Sequence, residues 1–210
     1  MKKDIVIVGN GGFARETKWL LERINQVKEE WNFLGFIDEV DSFEGSRVIG
    51  NDAFILSVEK ELHVALAIGN AAIRERIYEK YKKNSYLRYP NLIDPSVIMS
   101  SQVELGRGNI ICAGNILTVN VKMGDFCIVN LDCTLGHDVV FDSFITIYPG
   151  VNVSGAVTIE RCTEIGTGTK IIQGKKIGKN AVVGAGAVVI TDIPDNCTAV
   201  GVPAKVIKYH

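Results

Sequence analysis

A six-residue hydrophobic repeat runs through the second half of the chain. Between Ile93 and Val189, every sixth position carries an aliphatic or other bulky apolar residue, and no insertion interrupts the series. Such an unbroken run is not expected by chance in a chain with 47% apolar residues, so the period indicates a structural repeat. The series consists of Ile93, Met99, Leu105, Ile111, Leu117, Met123, Val129, Leu135, Phe141, Ile147, Val153, Ile159, Ile165, Ile171, Ile177, Val183 and Val189.

The positions around each apolar residue are also restricted in type. The next position is often glycine, and the fifth position of each hexad is mostly small or β-branched. A six-residue period fits neither one face of a helix nor the alternation of a plain strand. It fits a short strand, a corner and one inward-pointing residue on each side of a prism. Three hexads then close one coil, and residues three hexads apart stack. The glycines are Gly106, Gly124, Gly136, Gly166, Gly178 and Gly184, and the small residues include Val139, Val151, Val157, Thr163, Thr169, Ala181 and Ala187.

The pattern in the first ninety residues is different and predicts a βαβ, Rossmann-like domain. Apolar runs at 4–8, 33–37 and 63–68 have the length and composition of buried strands, and helical spacing covers 15–27. The sequence therefore predicts a nucleotide-binding type of domain over residues 1–90. The hexapeptide repeats occupy 91–193, and 194–210 form a C-terminal tail.

A glycine-rich turn follows the first predicted strand. A strand, a glycine turn and a helix N-terminus can hold an anion or a nucleotide. Asp38 and Glu39 follow the second strand, where a carboxylate could accept a ribose or sugar hydroxyl. An NAD-binding fold is the competing hypothesis, but Asp38 lies further from Gly9 than the roughly 20 residues usual there, and the second half of a dinucleotide domain has no room. A turn that binds nothing remains open, and we favour a nucleotide-sugar site.

Composition excludes several classes of partner. The net charge is −1, with 23 basic and 24 acidic residues, so no basic surface for nucleic acid is evident. No run of about 18 apolar residues and no secretory leader is present, which predicts a cytoplasmic protein without a membrane partner. The five cysteines form no CxxC pair and are expected to be reduced packing residues.

The chain has three histidines, and His137 differs from the other two. His63 enters an apolar strand and His210 is the last residue, which favours structural or solvated roles. His137 lies near a corner of a coil, outside the inward slot, and Asp138 follows it. An imidazole has an ordinary pKa of about 6.5, and a neighbouring carboxylate stabilises the imidazolium that forms when it accepts a proton. A lone surface histidine is usually inert, so spacing alone leaves both possibilities open.

Several motifs together resemble a known family. These are the glycine-turn domain, the segment AIGNAAIR at 67–74, the Gly-His-Asp sequence at 136–138 and the segment GVPAK at 201–205. Their combination over nearly all of the chain resembles the nucleotide-sugar acetyltransferases of the bacillosamine and perosamine type, and the sialic acid O-acetyltransferases share this organisation. The resemblance implies a left-handed parallel β-helix, acetyl-CoA as cosubstrate without a metal, and a homotrimer.

The resemblance also implies roles for individual residues. His137 matches the proton acceptor for the sugar amine, and Asp138 matches the acidic residue that raises its basicity. Gly155 would stack one coil above His137, where its backbone N–H could stabilise the developing oxyanion. Contacts to acetyl-CoA fall on Gly155, Thr167 and Ala185, and Thr146 stands where the family has a second coenzyme-contacting histidine. The sugar-nucleotide contacts fall on Gly11, Gly12, Phe13, Asp38 and Glu39.

The function expected from these features is N-acetylation of a nucleotide-linked amino (dideoxy) sugar for surface glycan synthesis. O-acetylation of sialic acid or another glycan precursor is the alternative, because the same base would serve a hydroxyl. A zinc enzyme of the γ-class carbonic anhydrase type needs three histidine ligands, and the repeat contains one. A binding module without turnover also remains open.

Overall fold

The structure, a computed structural model, describes residues 2–39 and 47–210. The first unit is an α/β domain whose sheet has the strand order β3-β2-β1-β4-β5, with all neighbouring strands parallel. Its elements are β1 (Lys3–Val8), α1 (Gly12–Val27), β2 (Trp31–Ile37), β3 (Val48–Gly50), α2 (Asp52–Leu56), β4 (Leu62–Leu66), α3 (Ala71–Tyr81) and β5 (Leu87–Arg88).

Strand β1 is the centre of this domain and is apolar on both faces. Ile5 and Ile7 pack into a cluster with α1, whereas Val6 and Val8 pack into a second cluster with α2 and α3. A strand covered on both sides reads as a continuous apolar run, which is typical of a parallel sheet between helices. The connections after β1 and β4 diverge to opposite faces of the sheet, and this divergence creates a crevice at its carboxyl edge.

The second unit is a column of two-residue strands, which begins with β6 (Leu92–Ile93). The others are β7 (Ile98–Met99), β8 (Glu104–Leu105), β9 (Ile110–Ile111), β10 (Ile116–Leu117), β11 (Lys122–Met123), β12 (Ile128–Val129), β13 (Thr134–Leu135), β14 (Val140–Phe141), β15 (Thr146–Ile147), β16 (Asn152–Val153), β17 (Thr158–Ile159), β18 (Glu164–Ile165), β19 (Lys170–Ile171), β20 (Lys176–Ile177), β21 (Val182–Val183), β22 (Val188–Val189), β23 (Cys197–Val200) and β24 (Lys205–Tyr209).

These strands form three sheets, which are the sides of a triangular β-helix. The first face contains β6, β9, β12, β15, β18, β21, β23 and β24, the second contains β7, β10, β13, β16, β19 and β22, and the third contains β8, β11, β14, β17 and β20. The chain visits the faces in that order in each coil. Residues 18 apart are therefore neighbours, as in the pairing of Thr134 with Asn152.

The second residue of most β-helix strands points inward and builds one continuous core. Leu135, Ile147 and Ile159 have no exposed surface, so the six-residue series marks the interior as predicted. Met99 departs from this rule, because it lies in the first coil with no coil beneath it and is 39% exposed. At the other end, the segment expected to be a tail forms β23 and β24, and β23 extends the first face by pairing with β21.

The α/β domain docks on the outer side of the first face. Leu92, Ile110 and Ile128 point outward from that face and are buried in one cluster with the domain. At the corner between the third and first faces, the rings of Phe126 and Phe144 stack with centroids 5.2 Å apart and pack against α3. Each fully buried side chain of this size stabilises the docked arrangement by about 1.5–3 kcal/mol. The two units are therefore joined by a hydrophobic interface, while the inward residues of the β-helix form a core of their own.

Candidate active site

His137 and Asp138 lie at the corner between the second and third faces, directly after β13. Asp138 has a φ of 59°, a left-handed conformation in which the chain turns from one face to the next. The His137 Nδ1 and Asp138 Oδ2 atoms are 2.8 Å apart, and Asn120, one coil below, donates from Nδ2 to Asp138 Oδ1 at 3.0 Å. Both side chains of the pair are about half exposed, at 50% and 53%.

The contact with Asp138 determines which nitrogen of His137 is available as a base. An ionised carboxylate only accepts hydrogen bonds, so Nδ1 must carry the proton in this pair, and the neutral ring then has its lone pair on Nε2. The hydrogen bond from His137, and then that from Asn120, lowers the pKa of Asp138 below its ordinary value. The carboxylate is therefore ionised at neutral pH. The geometry is that of a histidine base oriented by an acid.

Gly155 lies one coil above His137 and shapes the space around its ring. A Cβ atom at position 155 would lie 2.3 Å from His137 Nε2, so only glycine leaves this side of the imidazole open. Within the described chain, the Gly155 N–H has no hydrogen-bond acceptor, whereas its carbonyl accepts from Gly174 N at 3.0 Å. A free N–H beside the base can stabilise a developing oxyanion.

The predicted coenzyme contacts lie in two different environments. Thr167 and Ala185 are exposed and stack one coil apart at the corner between the first and second faces, with Gly186 N donating to Thr167 O at 2.8 Å. Thr146 has no exposed surface, and its hydroxyl donates to the Gly69 carbonyl at 2.6 Å. The Thr146 side chain thus lies buried between the β-helix and the α/β domain. In this position it is not accessible to the coenzyme.

A cavity of about 460 Å³ opens at the carboxyl edge of the α/β sheet. Asp38, Glu39 and Gly9 line it, so it brings the acidic pair next to the glycine turn after β1. Gly11 and Gly12 are exposed at the start of α1 and Phe13 is half-buried, but these three residues do not line the cavity itself. The glycine turn and the acidic pair meet at the switch point of the sheet, where α/β folds bind nucleotides.

Solved structures resemble this whole arrangement. The acetyltransferase domain of PglB from Neisseria gonorrhoeae FA1090, in complex with acetyl coenzyme A, is 30% identical, with a TM-score of 0.89 over 99% of this chain and 100% of that one. The chain belongs to the sugar acetyltransferases of the bacillosamine and perosamine type. In agreement, residues 4–81 match the family described as the PglD N-terminal domain. These findings confirm the expected fold, a Rossmann-like α/β domain followed by a left-handed parallel β-helix.

Two further acetyltransferases are similar to this chain, one over nearly its whole length and one over part of it. PerB from Caulobacter crescentus, in complex with CoA and GDP-perosamine, is 29% identical, with a TM-score of 0.88 over 98% of this chain and 97% of that one. A serine acetyltransferase from Synechococcus elongatus is 32% identical over 92 residues. That match covers 40% of this chain and 38% of that enzyme, so the chain spans well under half the length of this curated relative.

The cavity in this family member contains residues that sequence reasoning missed. Asp52, Arg76 and Lys80 also line it, and Lys80 pairs with Asp52. Arg76 and Lys80 lie four positions apart on α3, so they share one side of that helix. Their spacing was visible in the sequence, but it did not show that this side of α3 faces the carboxyl edge of the sheet.

A larger cleft, of about 700 Å³, lies at the opposite edge of the sheet and contains no predicted site residue. His63 lines this cleft. Its Nδ1 atom lies 3.2 Å from the Asp4 carbonyl oxygen, and its ring packs edge-on against the ring of Trp31, with the centroids 5.3 Å apart. His210 Nε2 lies 3.5 Å from the Thr198 hydroxyl on the terminal hairpin. Neither histidine contacts the corner that carries His137.

The five cysteines are all buried and free, and each has a thiol whose pKa burial raises. In residues 2–39 and 47–210, no cluster of three or more histidine, cysteine or acidic side chains could hold a metal ion. The helices in that part of the chain are too short or too polar to cross a bilayer.

Proposed function

We propose that this chain is an acetyl-CoA-dependent N-acetyltransferase that acts on the amino group of a nucleotide-linked amino sugar. The observation that carries the proposal is the arrangement of His137, Asp138 and Gly155, which puts an oriented base and a free backbone N–H side by side on an exposed corner. Support for the substrate class comes from PerB, whose structure holds CoA and GDP-perosamine. A cytoplasmic location remains a prediction from the sequence.

In the proposed reaction, His137 Nε2 removes a proton from the sugar amine as its nitrogen attacks the thioester carbonyl of acetyl-CoA. Asp138 holds the ring through Nδ1 and stabilises the imidazolium that forms. The Gly155 N–H donates to the carbonyl oxygen while it carries negative charge. When the C–N bond has formed, the C–S bond breaks and the leaving thiolate takes the proton from His137. The products are an N-acetylated sugar and free CoA thiol, without an acyl-enzyme.

The faces of the β-helix support a site built from two subunits. The α/β domain and its cavity lie on the first face, whereas His137 lies at the corner opposite that face. An acceptor bound in the cavity of one chain is therefore separated from that chain's own His137 by the width of the prism. We infer that it reaches His137 of a neighbouring chain in a homotrimer. In this arrangement Thr167 and Ala185 line the coenzyme path along the second face.

The activity is tested with a panel of 4-amino sugars linked to UDP, dTDP and GDP, each incubated with acetyl-CoA while free thiol is measured. We expect release of thiol with at least one acceptor and a product that carries an amide. The matching hydroxy sugars serve as the comparison. Thiol release with hydroxy sugars alone would replace this proposal with O-acetylation, and tight acetyl-CoA binding without turnover would favour a binding module.

Co-expression of two inactive variants tests the shared site. Asp38→Ala damages the acceptor pocket and His137→Ala removes the base, so each variant alone should be nearly inactive. In mixed trimers, an intact pocket can meet an intact His137 from another chain, and random assembly at equal ratio should restore about a quarter of the activity. No recovery in trimers shown to contain both variants would place the complete site within one chain.

A further inference from the structure

The loop between β4 and α3, residues 67–70, is held by side chains that come from the β-helix. The Gly69 carbonyl accepts the Thr146 hydroxyl at 2.6 Å. On the other side of the loop, Glu164 Oε1 accepts from Asn70 Nδ2 at 2.9 Å and from the Ala71 N–H at 3.0 Å. Thr146 and Glu164 are the outward residues of β15 and β18, consecutive strands of the first face. The conformation of this loop therefore depends in part on groups outside its own domain.

Arg74 on α3 completes the hold on the loop from beneath. Its side chain is buried, with 1% exposed, and burial lowers its pKa to about 10, so it is charged at neutral pH. The guanidinium donates to the Ile68 carbonyl at 2.5 Å and to the Gly69 carbonyl at 3.1 Å. It also donates to Phe126 O at 2.9 Å and Ile145 O at 3.2 Å in the β-helix. One side chain thus ties the loop to two coils.

Glu164 is the anionic group at the N-terminus of α3. This helix has no acidic residue in its own first turn, and its cap is Asn70, whose side chain accepts from the Ile73 N–H at 2.9 Å. Glu164 binds both the Asn70 side chain and the first helical N–H, and the Tyr148 hydroxyl donates to its other oxygen at 3.1 Å. A carboxylate at this end of a helix is favourable because the exposed N–H groups carry partial positive charge.

The parts held in this way form a wall of the nucleotide-sugar cavity. Ile68 comes from the loop, and Arg76, Ile77 and Lys80 come from α3. A shift of the loop or of the start of α3 would move these side chains relative to Asp38, on the other wall. The width of the cavity therefore depends on contacts made with the β-helix.

We propose that Glu164, on the β-helix, is a positioning residue for the nucleotide-sugar pocket and acts through its hydrogen bonds with Asn70 and Ala71. Thr146 supports the same loop through its hydrogen bond to the Gly69 carbonyl. This inference rests on the proposed function, because it assigns a nucleotide sugar to the cavity. It also gives Thr146 a role different from coenzyme binding. Glu164 does not touch the reacting atoms and lies away from His137.

The test is a comparison of Michaelis constants in the full-length protein. Glu164→Ala removes three hydrogen bonds and should raise KM for the nucleotide sugar at least 10-fold. It should leave kcat and KM for acetyl-CoA within about 2-fold of wild type, because the His137 corner keeps its contacts. Glu164→Gln has the same shape and retains an oxygen acceptor, so it should recover most of the affinity. Thr146→Val, which removes one hydroxyl and keeps the shape, should raise the same KM by a smaller factor and provides a second measurement if Glu164→Ala does not fold.

Glu160→Ala is the matched control. Glu160 is another β-helix glutamate, and it pairs with Lys176 Nζ on a neighbouring coil at 2.6 Å. With residues 2–39 and 47–90, the described part of the α/β domain, it forms no hydrogen bond or ion pair. This variant should show wild-type KM values for both substrates. If Glu164→Ala instead raises both KM values equally, or changes neither while remaining folded, the positioning role is overturned.

Calorimetric titration with UDP, GDP and dTDP separates this inference from the proposed function. Wild-type protein should bind at least one of the three nucleotides, and Glu164→Ala should bind that nucleotide at least 10-fold more weakly. A wild-type protein that binds none of them and acetylates no nucleotide sugar would overturn the proposed function, and this inference with it. Wild-type binding together with unchanged binding by Glu164→Ala would overturn only the positioning role.

Discussion

The first face of the β-helix and the corner opposite to it are built from the same repeat but present different surfaces. On the first face, the outward residues Ile110 and Ile128 are each 1% exposed, because the α/β domain covers them. At the opposite corner, His137 and Asp138 are about half exposed and contact each other. Beneath both regions the inward residues are equally buried. The core of the coil is therefore the same in both regions. Only the outward and corner residues make the first face a docking surface for the α/β domain and the opposite corner a candidate active site.

This difference shows how a repeat of such simple composition can carry a specific site. The inward slots tolerate only apolar or small side chains, because the interior is packed without space for anything else. Outward slots and corners have no such requirement within a coil. A glycine at position 155 or a histidine at position 137 therefore destabilises the coil little. These corner positions can carry the residues that the site requires.

Removal of the base should have the largest effect and should leave the fold intact. We expect His137→Ala to lower kcat by about 10²–10⁴, the usual contribution of a general base, with an unchanged melting temperature. Steady-state kinetics and thermal unfolding measure the two quantities. His210→Ala is the control and should behave as wild type. A His137→Ala enzyme with ordinary turnover would contradict the assignment.

Gly155→Ala should damage catalysis more than stability. The added Cβ would lie 2.3 Å from His137 Nε2, so the ring must leave its position beside the Gly155 N–H. We expect kcat to fall by about 10², comparable with loss of one oxyanion donor. Melting temperature and acetyl-CoA affinity, measured on the same sample, should change little. Parallel losses in stability and rate would mean that Gly155 serves only as a corner.

Two isoleucines in the same slot of the repeat compare the faces directly. Ile128 points outward from the first face and is 1% exposed, whereas Ile116 points outward from the second face and is 37% exposed. Ile128→Ala should lower the free energy of unfolding by about 2–4 kcal/mol. Ile116→Ala should lower it by less than about 1 kcal/mol. Denaturant titration measures both values. Equal losses would show that a neighbouring subunit covers Ile116 as fully as the α/β domain covers Ile128.

Asp138→Asn should have the smallest effect on rate. The amide can still accept the Nδ1–H of His137 but cannot stabilise the imidazolium as an anion does, so we expect kcat to fall about 10-fold. The pKa of Asp138 in the folded protein is lower than the ordinary aspartate pKa of about 3.9. Its carboxylate is therefore ionised above that ordinary pKa, and the ionised form is lost only when the pH falls through the lower pKa of the folded state. Between about pH 8 and 9.5, where an ordinary imidazole is already neutral and Asp138 is ionised throughout, Asp138→Asn should therefore lower the rate by the same factor at every pH. A loss of rate confined to one end of that range would contradict this role.

Much of this architecture follows from local pattern. The six-residue series predicted the inward residues of nearly every coil. Each inward side chain packs against residues of its own hexad and of the coils directly above and below it, and the period fixes the positions of all of these residues. The stacking of Gly155 on His137 follows from the same period. The exposure of Met99 and the strands β23 and β24 were not predicted, because they depend on where the column ends and on what caps it.

The repeat, its core and the pairing of His137 with Asp138 can be predicted from the sequence, since each depends on residues close in the chain or related by a fixed period. The face that the α/β domain covers cannot be predicted in this way, and the roles of Thr146, Arg74 and Glu164 depend on it. Glu164 binds Asn70 and Ala71 across 94 and 93 residues, and no period connects those positions. Docking depends on the complementary shape of two folded surfaces, and neither surface exists until its own unit has folded.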